Sequence, residues 1–247
     1  MTDIRFDSDR IAELFYGAHF LTLNQIKSAL YALYLTNKFG FRLRKVTNAA
    51  EIIKLRLEYA ETLLSSLNIG VEVQGADKLE QGGQFLIVSN HRSIIDPLII
   101  EIALKNKDIR GLWIAKKELY NSFFFGAFTR NAGTILLDRD SKQMGAFFKD
   151  IKSNVAQGYS ISVFPEGTRN KEDTALTEFK DGSQIIAMKN RLPILPVFIE
   201  TNANAVLMDA IKNNTKELKV TIHIGDLIDY KDRSKSLEES YKQQFNL

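Results

Sequence analysis

The chain reads FLIVSNHRSIIDP at residues 85–97, and the interpretation of its fold starts from this stretch. Phe85 to Ser89 is an apolar run with the length and β-branched composition of a buried strand. Polar residues follow it. Pro97 then fits the first turn of a helix that we expect over roughly 97–106, because a proline there has no helical hydrogen bond to lose. The stretch therefore predicts a strand, a bend and a helix in succession.

Six further runs repeat the strand pattern, with helical patterns between them. The seven expected strands are 69–73, 85–89, 111–115, 134–137, 160–164, 194–199 and 218–224. Segments 144–156 and 184–190 have helical periodicity and are expected to form crossovers. This alternation predicts an α/β fold with a mostly parallel sheet of about seven strands flanked by helices. Functional loops should gather at the carboxyl ends of the strands.

One such strand end carries a histidine and an aspartate. His91 precedes Asp96 by five residues. Imidazole titrates near neutrality and can take a proton from an alcohol, while a carboxylate fixes its tautomer and stabilises the imidazolium that forms. Asp96 stands directly before Pro97, so an ordinary helix N-cap is an equal alternative. His91 alone is also compatible with a hydrogen-bonded core histidine.

Charged residues follow three other expected strands. Lys116 comes just after 111–115, Asp138-Arg139-Asp140 after 134–137, and the run PEGTRN at 165–170 after 160–164. A guanidinium binds phosphate through two donors, and a glycine allows close backbone approach. Taken singly, either arginine is an ordinary solvated charge, Glu166-Gly167 is a turn, and Lys116 is a surface lysine with a buried stem.

The amino-terminal part of the chain is helical and poor in acids. Residues 11–35 are rich in Leu, Phe, Tyr and Ala, but polar residues interrupt them, and a membrane span needs about 20 mostly apolar residues. Between Glu13 and Glu51 there is no acid, whereas Lys27, Lys38, Arg42, Arg44 and Lys45 all lie there. Cations interleaved with aromatic residues suit an anionic membrane surface, and packing of the helices on the core is the alternative.

A second helix should begin after Asn48 as its cap and stop at Gly70, with Ile53, Leu57, Ala60, Leu64 and Leu67 at helical spacing. The two segments then form a helical hairpin. We accordingly divide the chain into an N-terminal helical membrane-interface region, residues 1–68, and an α/β domain, residues 69–247.

Composition excludes several classes of protein. The 247 residues include 45% hydrophobic and 26% charged residues, which is typical of an ordered globular chain. With no cysteine and three histidines, disulfides, thiol nucleophiles and zinc clusters are not expected. A net charge of +3 without a recognised motif gives no case for nucleic acid. The start, with Asp3, Asp7, Asp9 and Arg10, does not look like a secretory leader, which favours a cytoplasmic protein.

Four ordered blocks carry a family resemblance. They are His91 with Asp96, the run GTILLDR at 133–139, the run FPEGTR at 164–169 and the run LPILPV at 192–197. In this order they resemble the glycerolipid acyltransferase family, most closely its lysophosphatidic acid (1-acylglycerol-3-phosphate) acyltransferases, over roughly residues 70–225. Asn170 departs from the pattern, since serine is common at that position.

The resemblance implies acyl transfer from a thioester, acyl-CoA or acyl-ACP, to the free hydroxyl of lysophosphatidic acid, which gives phosphatidic acid. It implies that His91 is the general base and that Asp96 orients it. The acceptor would lie against Arg139, Glu166, Gly167, Thr168 and Arg169, with Lys116 a weaker addition. No metal or resident cofactor is implied. The expected location is peripheral or monotopic, on the cytoplasmic face of a membrane.

Some alternatives stay open at this stage. The acceptor could be another lysophospholipid or glycerol-3-phosphate, and a lipid-binding protein or a hydrolase are further classes. The block at 192–197 contains Pro193 and Pro196, which predict a bulge or a sheet edge. The family links this block to the acyl donor, and a purely structural strand is the other interpretation.

Overall fold

A mostly parallel sheet of seven strands forms the centre of the structure, a computed structural model that describes residues 22–138, 144–213 and 216–247. The strands are β1 (Ile69–Gln74), β2 (Leu86–Ser89), β3 (Gly111–Lys116), β4 (Ile135–Leu137), β5 (Ser160–Val163), β6 (Ile194–Ile199) and β7 (Leu218–Ile224). Each lies within one residue of its expected bounds, because a short β-branched run between polar loops is a strong local signal.

Helices cover the two faces of the sheet. They are α1 (Leu23–Leu43), α2 (Ala49–Ser66), α3 (Asp96–Ala103), α4 (Gly126–Asn131), α5 (Gly145–Ala156), α6 (Gly182–Asn190), α7 (Ala203–Asn213) and α8 (Leu237–Phe245). The crossovers expected at 144–156 and 184–190 are α5 and α6. The helix expected over 97–106 ends earlier, at Ala103, and is followed by turns up to Asp108, whose φ is 49°.

The strand order is β1-β7-β6-β2-β5-β3-β4. All neighbouring pairs are parallel except β6 and β7, so β1 and β7 run opposite to the other five strands. Because β2, β5, β3 and β4 are consecutive and parallel, their carboxyl ends share one edge of the sheet. Each of the four strand-end segments singled out above therefore starts at that edge.

The expectation of a bulge or sheet edge at 192–197 was wrong. Strand β6 is an inner strand between β7 and β2, and its register with β2 is regular from Ile194 to Val197. Pairing with β7 begins only at Val197, and the carbonyl of Pro196 accepts from the amide of Gly225, just beyond β7. Pro196 is therefore tolerated in an inner strand, because the residue pairs between β6 and β7 start only at the next residue, Val197.

The two N-terminal helices form the expected hairpin. Thr22 caps α1 in a reciprocal capping box with Gln25, and Asn48 caps α2 by accepting from the amides of Ala50 and Glu51. The part of the 11–35 segment before residue 22 lies outside the described residues. Gly70 is not the stop of α2: the helix ends at Ser66, Asn68 takes the left-handed conformation with φ 53°, and Gly70 belongs to β1.

The hairpin packs on the core along its inner side. Thr36 Oγ1 of α1 and the Tyr59 hydroxyl of α2 lie 2.8 Å apart. The Tyr59 ring also contacts the ring of Phe128 on α4, with 4.6 Å between the ring centroids. A side chain at Gly40 would meet the backbone of Ala127 at 2.7 Å, so α1 and α4 approach each other more closely than any larger residue allows. Hairpin residues and sheet residues share one hydrophobic cluster.

No helix in ranges 22–138, 144–213 and 216–247 combines the length and the apolar character that crossing a membrane requires. The outward side of α1 is nevertheless apolar. Leu23, Leu30, Tyr34 and Phe41 are 75%, 61%, 59% and 57% exposed. These four residues follow one line along the helix, opposite the buried Leu35, Phe39 and Leu43.

Candidate active site

Asn90 fixes the loop that follows β2. Its side chain continues the pairing of β2 with β6: the Ile199 amide donates to Asn90 Oδ1 at 2.9 Å, and Asn90 Nδ2 donates to the Ile199 carbonyl at 3.0 Å. The Asn90 amide donates to the Tyr241 hydroxyl, which itself donates to the Val197 carbonyl at 2.8 Å. Burial raises the pKa of Tyr241 well above its usual value, so this hydroxyl stays protonated as a donor. The loop therefore starts from a rigid base.

His91 and Asp96 come together in this loop. The distance from His91 Nδ1 to Asp96 Oδ2 is 2.9 Å. The His91 side chain is 17% exposed and that of Asp96 only 1%. A buried carboxylate accepts from Nδ1–H, which leaves Nε2 as the basic nitrogen of the ring. The arrangement suits an imidazole that takes a proton at Nε2.

Asp96 is not an N-cap, so that alternative was wrong. The capping position of α3 belongs to Ile95, and Asp96 lies inside the first turn. Its Oδ2 accepts from the amides of Arg92 and Ser93, each at 2.7 Å, in addition to the imidazole. These amides precede the helix, so the carboxylate holds the loop around His91 rather than the helix end.

The loop at 164–170 holds the backbone of His91 from the neighbouring strand. Glu166 is 3% exposed, and its Oε1 accepts from the His91 amide at 2.6 Å. Glu166 Oε2 accepts from the amide and the hydroxyl of Thr177 at 2.7 and 2.6 Å. The Asn170 amide donates to the His91 carbonyl at 2.6 Å. Gly167, with φ 73°, makes the left-handed turn between these contacts.

An aromatic ring lies flat against the imidazole. Phe164 stacks on His91 with 3.9 Å between ring centroids and 10° between ring planes. Trp113 of β3 stacks on Phe164 in turn, at 5.2 Å and 24°. The His91 ring is thus held at Nδ1 by a carboxylate and on one face by a benzene ring.

Those expected acceptor residues that the structure describes occupy the same edge of the sheet. Thr168 and Arg169 are exposed at the tip of the 164–170 loop. Lys116 ends β3, paired in register with Leu137 at the end of β4. Lys117 makes an ion pair with Asp138 at 2.7 Å. Arg139 and Asp140 lie outside the described residues. The substrate-binding roles of Lys116, Arg139, Glu166, Gly167, Thr168 and Arg169 stay predictions.

No group of three histidine, aspartate or glutamate side chains able to hold a metal occurs within the described part of the chain. The site combines the His91 imidazole, the carboxylates of Asp96 and Glu166, backbone donors and two stacked aromatic rings.

Sequence reasoning assigned no role in the site to Asn90, Phe164, Trp113, Thr177 or Tyr241. Phe164 had a findable signal, since it begins the FPEGTR block and directly follows an expected strand, as His91 follows another; the pairing of β5 with β2 then brings the two together. Trp113, Thr177 and Tyr241 lie 22 to 150 residues from His91 along the chain, and no local pattern connects them to it.

Comparison with known proteins gives concordant results. Residues 70–200 match the family model described as Acyltransferase. The 1-acyl-sn-glycerol-3-phosphate acyltransferase of Helicobacter pylori is 30% identical over 184 residues, which cover 72% of this chain and 76% of that protein. The alpha form of that acyltransferase from Mus musculus is 34% identical, over 64% of this chain and 53% of its own length.

A solved structure shows the same fold. The crystal structure of the 1-acyl-sn-glycerophosphate (LPA) acyltransferase from Thermotoga maritima superposes with a TM-score of 0.65 at 24% identity, over 96% of this chain and 93% of that one.

Proposed function

We propose that this chain, which belongs to the acyltransferase family, moves a fatty acyl group from acyl-CoA or acyl-ACP to the free hydroxyl of lysophosphatidic acid. The product is phosphatidic acid, a precursor of phospholipids. The observation that carries the proposal is the 2.9 Å contact between His91 and a buried Asp96 at the same sheet edge as the 164–170 loop.

The acyl group passes directly from the donor to the acceptor, without an acyl-enzyme intermediate. His91 Nε2 takes the proton of the acceptor hydroxyl as its oxygen attacks the thioester carbonyl. The new C–O bond forms, the C–S bond breaks, and the proton passes from the imidazolium to the departing thiolate. Asp96 stabilises the imidazolium during this step. The chain has no cysteine, which is consistent with a mechanism without a thiol acyl-enzyme.

The phosphate of the acceptor would meet cations at the same edge. Arg169 lies at the exposed tip of the loop whose base holds His91, and Arg139 directly follows Asp138 two strands away. Guanidinium groups bind phosphate through paired donors. Gly167 and Thr168 lie between Glu166 and Arg169, so a headgroup bound by Arg169 also contacts this turn. Lys116 is the additional cation.

The N-terminal hairpin would hold the enzyme on the membrane that contains its lipid substrate. The apolar line Leu23, Leu30, Tyr34 and Phe41 faces away from the core, and the exposed Lys27 and Lys38 lie next to it on one side of α1. A helix with an apolar outer face bordered by lysines suits the interface of an anionic bilayer. Peripheral or monotopic attachment at the cytoplasmic face remains a prediction.

Mass spectrometry of reaction products tests the proposed reaction. Each reaction contains the purified protein, one acyl donor and one acceptor. The donors are acyl-CoA and acyl-ACP, and the acceptors are lysophosphatidic acid, lysophosphatidylcholine, glycerol-3-phosphate and monoacylglycerol. We expect acylated product chiefly from lysophosphatidic acid. Release of free fatty acid without acylation of any acceptor would indicate a hydrolase, and a lack of turnover with every donor would indicate a binding protein.

A further inference from the structure

A continuous series of contacts leads from the His91 ring into the protein. Behind the imidazole lies Phe164, and behind Phe164 lies Trp113. The indole Nε1 of Trp113 donates to Glu101 Oε1 of α3 at 2.8 Å. The indole is therefore fixed both by ring contact on one side and by a directed hydrogen bond on its edge.

A buried ion pair holds that glutamate. Arg56 of α2 contacts Glu101 Oε1 at 2.8 Å, and the two side chains are 4% and 13% exposed. Arg56 also donates to the carbonyl of Gly111 at 2.7 Å and to that of Ala132 at 3.2 Å. Gly111 begins the strand that carries Trp113. Removing an arginine and a glutamate from water is costly, and the two carbonyl bonds of Arg56 offset part of that cost.

We propose that Trp113 is a positioning residue, which keeps Phe164 flat against the His91 imidazole and is itself fixed by the Arg56–Glu101 pair. The inference rests on the proposed function, in which His91 takes a proton. A flat ring contact limits rotation of the imidazole about its side-chain bond. The face of a benzene ring also attracts a cation, so the stack favours the imidazolium that forms in the transition state.

The expected effect is on turnover rather than on binding. A general base at His91 takes the proton as a neutral imidazole and becomes cationic only as the proton moves, so loss of the stack should lower kcat and leave the acceptor KM unchanged. A residue that only fills space would behave differently: an apolar replacement of moderate size would change thermal stability and not kcat.

Paired variants separate these roles. Trp113→Phe keeps a ring behind Phe164, whereas Trp113→Leu keeps only apolar volume. Phe164→Tyr and Phe164→Leu make the same comparison one ring closer to His91. Phe148→Leu is the control, since Phe148 makes a ring contact with Phe147 at 5.4 Å on α5 and belongs to a different hydrophobic cluster from Trp113 and Phe164.

We expect both leucine variants at the stack to lower kcat about tenfold, with acceptor KM within twofold of the original protein. Phe164→Tyr should recover most of kcat, Trp113→Phe, which keeps a ring but loses the hydrogen bond to Glu101, should lie between the original protein and Trp113→Leu, and Phe148→Leu should change only the melting temperature. Trp113 is the single tryptophan of the chain, so its emission spectrum should shift in Phe164→Leu. Unchanged kcat in Trp113→Leu, or equal losses in Trp113→Phe and Trp113→Leu, would overturn the inference.

The His91→Ala variant distinguishes failure of the proposed function from failure of the positioning role of Trp113. If it retains acyl transfer, the proposed function fails whatever the stack variants do. If it is inactive while Trp113→Leu turns over normally, only the positioning role fails.

Discussion

At the scale of single residues, the site depends on how three donors converge on one oxygen. The imidazole of His91 and the amides of Arg92 and Ser93 all contact Asp96 Oδ2. Asp96 Oδ1 is buried and makes no hydrogen bond within the described residues. An asparagine whose oxygen takes the place of Oδ2 keeps all three contacts, removes the charge and places its amide nitrogen at the buried Oδ1 position.

Asp96→Asn therefore tests the charge separately from the geometry. We expect kcat to fall by about a hundredfold or more, because the imidazolium loses its anionic partner, while the KM for lysophosphatidic acid changes little. Steady-state kinetics with saturating acyl donor provide both constants. Near-normal kcat with a lowered melting temperature would mean that Asp96 serves only the structure of the loop.

Glu166 allows a second test of a buried carboxylate, because both of its oxygens accept hydrogen bonds from residues of the protein. A glutamine has only one carboxamide oxygen, so Glu166→Gln must lose the bond from the His91 amide or the bond from the Thr177 amide. We expect unfolding free energy to fall by about 1–3 kcal/mol and kcat to fall with it.

Thr177→Val is the matched control, since it removes the Thr177 hydroxyl and keeps the amide. It should show a smaller loss of the same kind in urea unfolding and in kcat. A rise in acceptor KM alone in Glu166→Gln, at unchanged stability, would instead assign the carboxylate to the acceptor.

At the scale of elements, the strands could be predicted from the sequence, whereas the position of Pro196 in the sheet and the end of α2 could not. Short apolar runs between polar loops identified all seven strands, since that signal is local. The position of Pro196 in an inner strand was not predictable, because it depends on where β7 ends, and β7 lies over 20 residues away along the chain. The end of α2 was misassigned for a different reason: Asn68 took the left-handed role expected of Gly70.

The α1–α2 hairpin offers a pH-dependent test of its packing. Burial raises the pKa of Tyr59 from 10.0 to about 12, partly offset by the hydrogen bond with Thr36. The neutral phenol is favoured in the folded protein, while the unfolded chain ionises above pH 10. The free energy of unfolding contributed by Tyr59 is therefore complete below pH 10 and is lost as pH rises toward 12.

Tyr59→Phe should be about 1 kcal/mol less stable at neutral pH, because it lacks the hydrogen bond. Between pH 10 and 12 the original protein should lose up to about 3 kcal/mol relative to this variant, measured by urea unfolding. Thr36→Val keeps the phenol and should retain the alkaline decline. Parallel stability curves for the original protein and Tyr59→Phe would show that Tyr59 is not buried in solution.

At the scale of the whole molecule, the sheet edge that carries the site was foreseeable and the strand order was not. Four motifs at strand ends must meet at one edge if their strands are parallel. The reversal of β1 and β7 relative to the other strands depends on long-range pairing that no local pattern encodes. For the same reason the contacts of Tyr241 and Trp113 with the site could be seen only in the structure.

The outward line on α1 leads to a prediction about the intact protein. The triple variant Leu30→Gln, Tyr34→Gln, Phe41→Gln should reduce sedimentation with anionic vesicles at least tenfold, since each side chain contributes about 1.5–3 kcal/mol when buried. Binding of the original protein should weaken with salt because Lys27 and Lys38 are exposed.

The control for this experiment replaces apolar residues elsewhere. Met208 and Leu227 are 47% and 48% exposed and lie outside the hairpin, so the double variant Met208→Gln, Leu227→Gln should bind vesicles normally. Equal sedimentation of the triple variant and the original protein would mean that the outer side of α1 does not contact lipid.

The most direct measurement is the initial rate of phosphatidic acid formation from lysophosphatidic acid and a thioester donor, for the original protein and for His91→Ala. The variant should retain its circular dichroism spectrum and melting transition, since His91 is partly exposed and its backbone bonds to Glu166 and Asn170 do not need the side chain. We expect its rate to fall to that of the reaction without enzyme. A folded His91→Ala protein that still forms phosphatidic acid at a rate near that of the original would contradict the assignment of His91 as the base.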